Sequence, residues 1–297
     1  MNYKFLLVDG TAALYQSFFA IKGLTTHDGV PTNAIYGFIR MLRQIVMVRK
    51  PTHIAVIFDG GLPRDRVQLY SEYKANRRPM PPELKRQINF AQEFLQSAGI
   101  VWVMKEGEEA DDVMASMATR AEEDADKIMF ATSDKDIYQI VNEKKVVIPM
   151  TGKGKEIGPK EIVEKTGVPP GLIVDWLALS GDSADNIPGV PGIGPKTAAM
   201  LLQQYGSVES LLSHLEELKN AKLKEKLSQY TERVRKNLQM VRLKTDIDCA
   251  VDWKDLELHE PLSDRLIPFF EKMEFASLLR DLREGSFWKT EKDEMLL

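Results

Sequence analysis

The sequence predicts an α/β domain with a central, mostly parallel sheet, followed by an all-helical domain. Short apolar runs typical of buried strands alternate with amphipathic helical stretches through the first part of the chain. This alternation favours a parallel sheet flanked by helices. After a weak boundary marked by Gly152, Gly154 and Gly158, apolar residues recur only at helical spacing. We therefore place the α/β domain at residues 1–172 and the helical domain at residues 173–290.

Five short apolar runs are the predicted strands, since each is brief and they alternate with helical stretches. They span residues 4–8, 53–58, 100–104, 127–132 and 145–148. Three helices are predicted between the first three strands. The first spans residues 12–20, the second runs from a cap at Thr32 or Asn33 to Pro51, and the third spans residues 82–97. A further helix is predicted to begin near Asp112.

In the second part of the chain we predict helices that end at Gly167 and at about residue 179. A third is predicted over residues 208–218, which carry Leu at helical spacing, and charged helical sequence continues to about Leu243. The tail, residues 289–297, is expected to fray.

Composition excludes several classes of protein. The chain has 297 residues, 43% of them hydrophobic, which is enough for a large core. A single cysteine, Cys249, excludes a disulfide framework, and four unpaired histidines make a zinc site unexpected. No apolar run approaches the ~20 residues that span a bilayer. The first residues lead directly into a predicted strand without the layout of a signal peptide, so none is expected. We predict a cytoplasmic protein.

Acidic residues follow four of the predicted strands, at the edge of an open parallel sheet where ligands bind. Crowded carboxylates repel one another and raise their own pKa values, so their convergence implies cations. Oxygen ligands without His or Cys favour Mg²⁺ or Mn²⁺. Two such ions stabilise the attacking and leaving oxygens of a phosphoryl displacement. The seven acids are Asp9, Asp59, Glu109, Asp111, Asp112, Asp134 and Asp136.

Each acid taken singly is more readily explained as a loop or helix cap. Asp134 and Asp136, for example, are placed to cap the helical turn at Ile137. A receiver-like domain also gathers acids at strand ends, but it needs only a few of them. The number of acids therefore favours a site for two or more cations.

A glycine-rich stretch in the helical domain, Gly192-Ile193-Gly194-Pro195-Lys196-Thr197-Ala198, predicts a tight hairpin that opens a helix. Glycines let backbone N–H groups approach a phosphate, and the helix N-terminus favours the anion. This helix-hairpin-helix pattern predicts sequence-independent binding of a nucleic-acid backbone; the alternative is a plain turn. Just before it, Asp182 and Asp185 add two acids in a turn.

The net charge of −4 does not contradict nucleic-acid binding. Without the nine acids of the predicted cation site, the chain has 35 acidic and 40 basic residues. The surface outside that site can therefore attract phosphates.

Between Asp59 and Pro82 the alternation stops, and a long irregular segment contains five basic residues interleaved with Tyr70 and Tyr73. Such a charge run is usually a solvated surface. Because it follows a strand-end acid, a loop here can overhang the carboxylates, where bases grip phosphate and tyrosines stack on bases. The bases are Arg64, Arg66, Lys74, Arg77 and Arg78.

The sequence resembles the 5′-nuclease (flap endonuclease) superfamily, and in particular the bacterial 5′→3′ exonucleases found at the N-terminus of DNA polymerase I and as stand-alone proteins. The matching motifs occur in the family's order along nearly the whole chain. They are Val8-Asp9-Gly10, Phe58-Asp59, Tyr73-Lys74 with Arg77, Glu109-Ala110-Asp111-Asp112, Asp134-Lys135-Asp136, Gly181-Asp182 with Asp185-Asn186, and the glycine hairpin.

The resemblance implies a PIN-like α/β core and a Mg²⁺-dependent phosphodiesterase that cuts DNA near a 5′ flap, leaving a 5′-phosphate and a 3′-hydroxyl. A helical arch is implied at about residues 60–95, with Lys74 and Arg77 acting over the scissile phosphate and Tyr73 and Arg78 contacting DNA. The implied partners are DNA with a 5′ flap or 5′ end and RNA primers, bound by a monomer in replication and repair.

For the metal site, the resemblance implies one ion held mainly by Asp9, Asp59, Glu109 and Asp111. It implies a second ion towards Asp112, Asp134, Asp136, Asp182 and Asp185. Gly192, Gly194, Lys196 and Thr197 match the duplex-binding hairpin, which implies K⁺ there as well.

Two positions depart from the family pattern. Relatives commonly have Arg where Gln16 stands, and often an aromatic residue where Glu108 stands, so flap preference is expected to differ. A Mg²⁺-dependent 5′-nuclease is predicted over two rivals. The DNA-binding hairpin argues against a hydrolase of small phosphate esters, and the nine filled acidic positions argue against a catalytically inert DNA-binding protein. The sequence is compatible with a stand-alone protein and with a polymerase fragment.

Overall fold

The computed structural model describes residues 3–285 and 287–288. Five parallel strands form one sheet, in the order β3-β2-β1-β4-β5. The strands are β1 (Lys4–Asp9), β2 (His53–Phe58), β3 (Val101–Met104), β4 (Lys127–Ala131) and β5 (Lys145–Ile148). All five predicted strands are confirmed. The strand order reverses between β1 and β4, so the carboxyl ends of these two strands border the crevice where open sheets bind ligands.

Helices cover both faces of the sheet. They are α1 (Gly10–Ala20), α2 (Asn33–Arg49), α3 (Arg64–Leu69), α4 (Pro82–Ala98), α5 (Ala110–Ala121) and α6 (Pro159–Thr166). Alternate residues of β1 serve the two faces: Leu6 and Val8 lie in the core with α1, α2 and α4, whereas Phe5 and Leu7 lie in the core with α5. Burial on both faces explains why the strands are continuous apolar runs.

The N-terminus of α2 is capped from a distance. Neither Thr32 nor Asn33 makes the predicted cap, because Asn33 donates its side-chain amide to the carbonyls of Phe18 and Ile21. The side-chain oxygen of Gln87, in α4, accepts instead from the N–H groups of Ala34 and Ile35, at 2.8 and 3.1 Å. This fully buried contact ties the two helices together.

The second part of the chain is largely helical. Its elements are α7 (Ile173–Ser180), the strands β6 (Gly181–Asp182) and β7 (Ile187–Pro188), α8 (Pro195–Tyr205), α9 (Val208–Ser213), α10 (Ala221–Gln229), α11 (Thr231–Met240), α12 (Ser263–Lys272) and α13 (Ala276–Arg283). Short 3₁₀ turns lie at Asp136–Ile140, Pro170–Leu172, Leu215–Glu217 and Trp253–Leu256. The helix predicted over residues 208–218 forms but ends early, at Ser213, because the backbone leaves the helical conformation at His214.

The helical region shares its core with the sheet. A single cluster of buried side chains runs from Phe5 and Val113 to Leu177 and Leu202. The predicted boundary at residues 172–173 falls inside this shared core. Further along, α12 returns to the opposite face, where Phe269 and Phe270 pack on Phe94 of α4.

Within the described residues, no helix is both long and apolar enough to cross a membrane. The tail expected to fray, residues 289–297, lies outside the described part of the chain.

Candidate active site

Asp9 and Asp59 end the two neighbouring strands β1 and β2. Asp9 caps α1, accepting at 2.8 Å from the N–H of Ala12, and its other oxygen accepts from the Thr132 hydroxyl at 3.1 Å. Asp59 accepts at 2.9 Å from the N–H of Ala110, the first residue of α5. One oxygen of each carboxylate thus accepts from a backbone N–H at the start of a helix, as the capping interpretation predicts. These hydrogen bonds also fix the positions of the two side chains.

The acids after β3 are delivered by a tight loop. Gly60 donates to the carbonyl of Glu108 and accepts from the N–H of Gly107, both at 2.9 Å. A Cβ atom on Gly60 would lie 1.7 Å from the carbonyl oxygen of Lys105, so no other residue fits this approach without displacing the backbone. The loop thereby holds Glu109, the residue before α5, against the end of β2.

Asp134 and Asp136 follow β4. The N–H of Asp136 donates to the Asp134 carboxylate at 2.9 Å, which is the capping contact anticipated for this turn. The Asp136 side chain is buried, and its Oδ1 atom has no hydrogen-bond partner. A buried carboxylate oxygen without a partner is costly unless a cation approaches it.

Asp182 and Asp185 reach the same place from the helical region. The antiparallel pairing of β6 with β7 folds residues 183–186 into a loop, a hairpin that the all-helical prediction missed. Gly181 and Gly189 make the pairing possible, since a Cβ on Gly181 would lie 2.4 Å from the backbone nitrogen of Gly189. Both carboxylates are buried.

The carboxylates form two clusters, each with oxygens within 4.8 Å of one another. The first contains Glu109, Asp111 and Asp112, and the second contains Asp136, Asp182 and Asp185. The implied division of ligands differs at Asp112, which stands with Glu109 and Asp111 rather than with the second group. Asp9, Asp59 and Asp134 are their electrostatic neighbours: Asp59 and Asp134 act on Asp9, and Asp134 acts on Asp111.

This crowding changes the acidity of the site. Burial, reinforced by the charge of Asp59, raises the pKa of Asp9 from 3.8 to about 7. Burial and the neighbouring acids also raise the pKa of Asp111 and that of Asp136 well above the ordinary value. These shifts are the mark of carboxylates that lack enough compensating positive charge.

Within the described residues, four basic side chains form ion pairs with members of this group of nine acids. The formal charge of the group therefore has an excess of five negative charges. The bases are Arg66, Lys74, Arg77 and Lys135. The excess charge, the all-oxygen donor set and the unpartnered oxygen of Asp136 together fit hard divalent cations. The two clusters can therefore hold metal ions.

Tyr73 and Lys74 join the two clusters. The Tyr73 hydroxyl lies 2.7 Å from Glu109 and 3.0 Å from Asp185, and the Lys74 ammonium contacts the same two carboxylates. Both side chains are buried, so this part of the segment is packed into the site instead of overhanging it. Glu109 and Asp185 raise the pKa of Lys74 although burial acts against them, so the amine stays charged.

The basic segment that contains Lys74 is hydrogen-bonded to the loop that carries Asp185. Lys74 adopts a left-handed backbone conformation with φ 54°, and its N–H donates to the Asp185 carbonyl at 3.0 Å. Arg77 is half-exposed and donates to the Asp185 carboxylate at 2.9 Å, whereas Arg78 is exposed. Left-handed non-glycine residues of this kind persist where surrounding contacts hold them, which is frequent at functional sites.

Arg66 is a site residue that the sequence interpretation missed. Its guanidinium donates to both oxygens of Asp112, at 2.6 and 2.9 Å, and to Glu109 at 2.5 Å. In the sequence nothing distinguishes it from the exposed Arg64, because its partners lie 43 and 46 positions away. Asp112 is fully buried, and both of its carboxylate oxygens accept from Arg66, which limits their availability to a metal ion.

The predicted glycine hairpin is formed and exposed. Gly192 has φ 84°, in the region that favours glycine, and Pro195 is the first residue of α8. The indole N–H of Trp176 holds the turn by donating to the Pro195 carbonyl at 2.9 Å. Gly194 and Lys196 face solvent, and Thr197 is half-buried. The α8 N-terminus is thus open to an anion.

The two departures from the family pattern have different surroundings. Glu108 accepts from the Lys244 ammonium at 2.7 Å, so its charge is paired beside the site. Gln16 is exposed on α1, in a groove that also includes Tyr15 and Thr132.

The fold and the site define the class of protein. A parallel sheet whose switch point carries two carboxylate clusters, joined to an exposed glycine hairpin, is the architecture of a metal-dependent nuclease.

Comparison with known proteins gives the family. Residues 4–167 match the model of the 5′-3′ exonuclease N-terminal resolvase-like domain, and residues 168–264 match that of the 5′-3′ exonuclease C-terminal SAM fold. A 5′-3′ exonuclease of Aquifex aeolicus is 38% identical over 278 residues, covering 93% of this chain and 94% of that protein. The chain belongs to the 5′-3′ exonuclease family, as its motifs predicted.

Longer relatives and solved structures agree with this. DNA polymerase I of Bacillus subtilis is 38% identical over 297 residues, 99% of this chain but 34% of that protein. The chain thus spans about a third of the length of its polymerase relatives. The fold is shared with the bacteriophage T5 flap endonuclease, solved with DNA and metal ions, at a TM-score of 0.69 and 20% identity over 95% of this chain and 99% of that one. The predicted fold class is confirmed.

Proposed function

We propose that this enzyme is a structure-specific 5′-nuclease that hydrolyses DNA phosphodiester bonds near the junction of a 5′ single strand and a duplex. The observation that carries the proposal is the meeting of two carboxylate clusters with Lys74 and Arg77, in the molecule that also presents an exposed glycine hairpin. The first arrangement suits phosphoryl transfer, and the second suits binding of a duplex backbone.

We propose Mg²⁺ or Mn²⁺ as the cofactor, with two or more ions. Glu109, Asp111, Asp136, Asp182 and Asp185 would hold them, with Asp9, Asp59 and Asp134 close by and Asp112 contributing through its bond to Arg66. Bound cations would supply the charge that stabilises the attacking and leaving oxygens of an in-line displacement. Asp136 has the free buried oxygen that this role requires.

The protein's own cations would handle the phosphate. Lys74 stands where the two clusters meet, and Arg77 is half-exposed beside it. Both can donate to the oxygens of a scissile phosphate and offset its developing charge. Tyr73 stays protonated, because burial, Glu109 and Asp185 all raise its pKa; its hydroxyl thus remains a donor that holds Glu109 and Asp185 in place.

The finer assignments extend the same proposal. A duplex would bind through Gly192, Gly194, Lys196 and Thr197, with K⁺ at the hairpin carbonyls, and Arg78 would contact the single strand over the arch of residues 60–95. The substrates would include 5′ flaps and RNA primers met in replication and repair. We propose action as a monomer in the cytoplasm, where the free Cys249 would stay reduced.

Cleavage of a 5′-labelled flap DNA tests the proposal. The wild-type enzyme with Mg²⁺ should release the flap, whereas Asp134→Asn and Asp136→Asn should lower the rate by at least about a hundredfold, since each removes a charge from the site. Asp126→Asn is a matched control, because Asp126 precedes β4, at the end opposite Asp134, where it accepts from the N–H of Tyr3.

The same assay separates the rival functions. Flap binding without cleavage at any Mg²⁺ or Mn²⁺ concentration would favour the inert DNA-binding protein. Hydrolysis of a small phosphate ester at a rate that flap DNA does not exceed would favour the phosphatase. Equal rates for wild type, Asp134→Asn and Asp136→Asn would sink the enzyme assignment.

A further inference from the structure

A second groove lies outside the carboxylate centre, between α3, β7 and α11. It encloses about 350 Å³, within the range typical of small-ligand pockets. Its walls include the aromatic ring of Tyr70, which follows α3, together with Pro188 of β7 and Met240 of α11. Arg233 and Lys236 of α11 complete the lining on one side. Apolar and cationic side chains therefore line the same groove.

The two cations of the groove are held by aromatic rings. The Lys236 ammonium lies 5.5 Å from the centroid of the Tyr70 ring, and the Arg233 guanidinium carbon lies 4.6 Å from that of Tyr230. Within the described residues, neither forms an ion pair with a carboxylate. Glu232 also borders the groove, but it pairs with Arg235. The groove thus offers two positive charges without an anionic partner.

These cations belong to a longer basic surface. Residues 219–244 contain nine Lys or Arg and only two Glu. At the far end of this surface, the Lys226 ammonium lies against Gly192, since a Cβ on that glycine would stand 2.7 Å from it. At the near end, Tyr70 is one helical turn from Arg66, which binds the carboxylates. Lys224, Arg235 and Lys244 of this segment form ion pairs, whereas Lys226 beside the hairpin and Arg233 and Lys236 in the groove form none within the described residues.

We propose that this groove binds one nucleotide of a DNA strand, with its phosphate at Arg233 and Lys236 and its base or sugar against Tyr70 and Pro188. The inference rests on the proposed nuclease function and adds a binding subsite to it. Unpaired cations attract phosphate, and an aromatic wall accepts any base through its π-face. Binding here would fix a strand that already contacts the hairpin, which increases affinity without touching the metal ligands.

The phosphate contact is tested by the salt dependence of DNA binding. Fluorescence anisotropy with a labelled 5′-flap DNA in EDTA would be measured for the wild type, Arg233→Gln, Lys236→Gln and the control Arg235→Gln. Arg235 lies on the same helix but pairs with Glu209 and Glu232. Each groove variant should raise Kd about three- to tenfold and reduce the slope of log K against log salt by about 1. The control should stay within about twofold.

The base contact is tested with abasic substrates. A single abasic site would be moved along the flap DNA, and the wild type should lose about fivefold or more in affinity at one position, as expected for loss of one stacked base. Tyr70→Ala should bind all of these substrates alike. Equal midpoints of thermal unfolding among the variants would show that each is folded.

The outcomes distinguish the groove from the nuclease function. If the wild type cleaves flap DNA but Arg233→Gln and Lys236→Gln bind it as Arg235→Gln does, the groove proposal is wrong and the nuclease function stands. An abasic scan without a sensitive position would also overturn the nucleotide subsite. A wild type that neither binds nor cleaves flap DNA would overturn both proposals.

Discussion

Arg66 offers the sharpest test of how the carboxylate centre is held together. Its guanidinium makes four hydrogen bonds, three to Glu109 and Asp112 and one at 3.0 Å to the carbonyl of Arg242. The side chain is 5% exposed, and that of Asp112 is 0% exposed. Arg66→Met preserves the length of the side chain and removes the charge. It would leave Asp112 buried without a cation, and Glu109 with Lys74 as its remaining cation.

The cost follows from this burial. Removing one partner of a buried ion pair destabilises a protein by about 3–5 kcal/mol, because the remaining charge is uncompensated. In a chain of this size each kcal/mol shifts the midpoint of thermal unfolding by about 2 °C or slightly more. Arg66→Met should therefore unfold about 6–10 °C below the wild type in EDTA. Arg64→Met is the matched control, since Arg64 is exposed two residues away.

Adding Mg²⁺ makes the prediction more specific. A divalent cation replaces part of the missing charge, so Mg²⁺ should stabilise Arg66→Met by more degrees than it stabilises the wild type. Differential scanning calorimetry in EDTA and in Mg²⁺ measures both effects. If Arg66→Met and Arg64→Met had the same midpoint of thermal unfolding in EDTA, Arg66 would not be the counter-charge that stabilises Asp112 and Glu109.

Two further predictions concern pH and Lys74. Because the pKa of Asp9 is about 7 in the folded protein against 3.8 when unfolded, the folded state binds this proton more tightly. Metal-free stability therefore falls as pH rises from about 4 through about 7, and it levels off once Asp9 is ionised in both states. Asp9 alone should make the protein in EDTA about 1.4 kcal/mol more stable at pH 6 than at pH 8. Saturating Mg²⁺ competes with the proton and should abolish this difference in stability. Unfolding curves that are the same at both pH values in EDTA would contradict the prediction. Lys74→Ala should lower turnover of flap DNA more than it weakens DNA binding, and the reverse pattern in parallel cleavage and anisotropy measurements would place Lys74 outside the chemistry.

The sequence was sufficient to predict the sheet and the acidic residues at its strand ends. Short continuous apolar runs such as residues 53–58 are typical of strands buried on both faces, and Gly99 and Gly167 end helices by local backbone preference. The glycine hairpin is likewise local, since Gly192 and Pro195 have conformations set by their own chemistry. Features determined within a few residues can be predicted from the chain alone.

Tertiary structure decided which polar groups meet. Gln87 caps α2, the β6–β7 hairpin folds Asp185 onto Tyr73, and the helix expected over residues 208–218 ends early. None of these contacts leaves a local signal, because their energies depend on partners far along the chain and on burial that the sequence does not state.

The carboxylate centre combines local features with tertiary ones. The sequence alone predicted that acidic residues follow the strands, because the apolar runs show where the strands end. Only the folded protein decided that Asp112 is held by Arg66 while one oxygen of Asp136 remains without a partner. The physical reason is that a carboxylate's charge is local, whereas its desolvation and its counter-charge are properties of the assembled core.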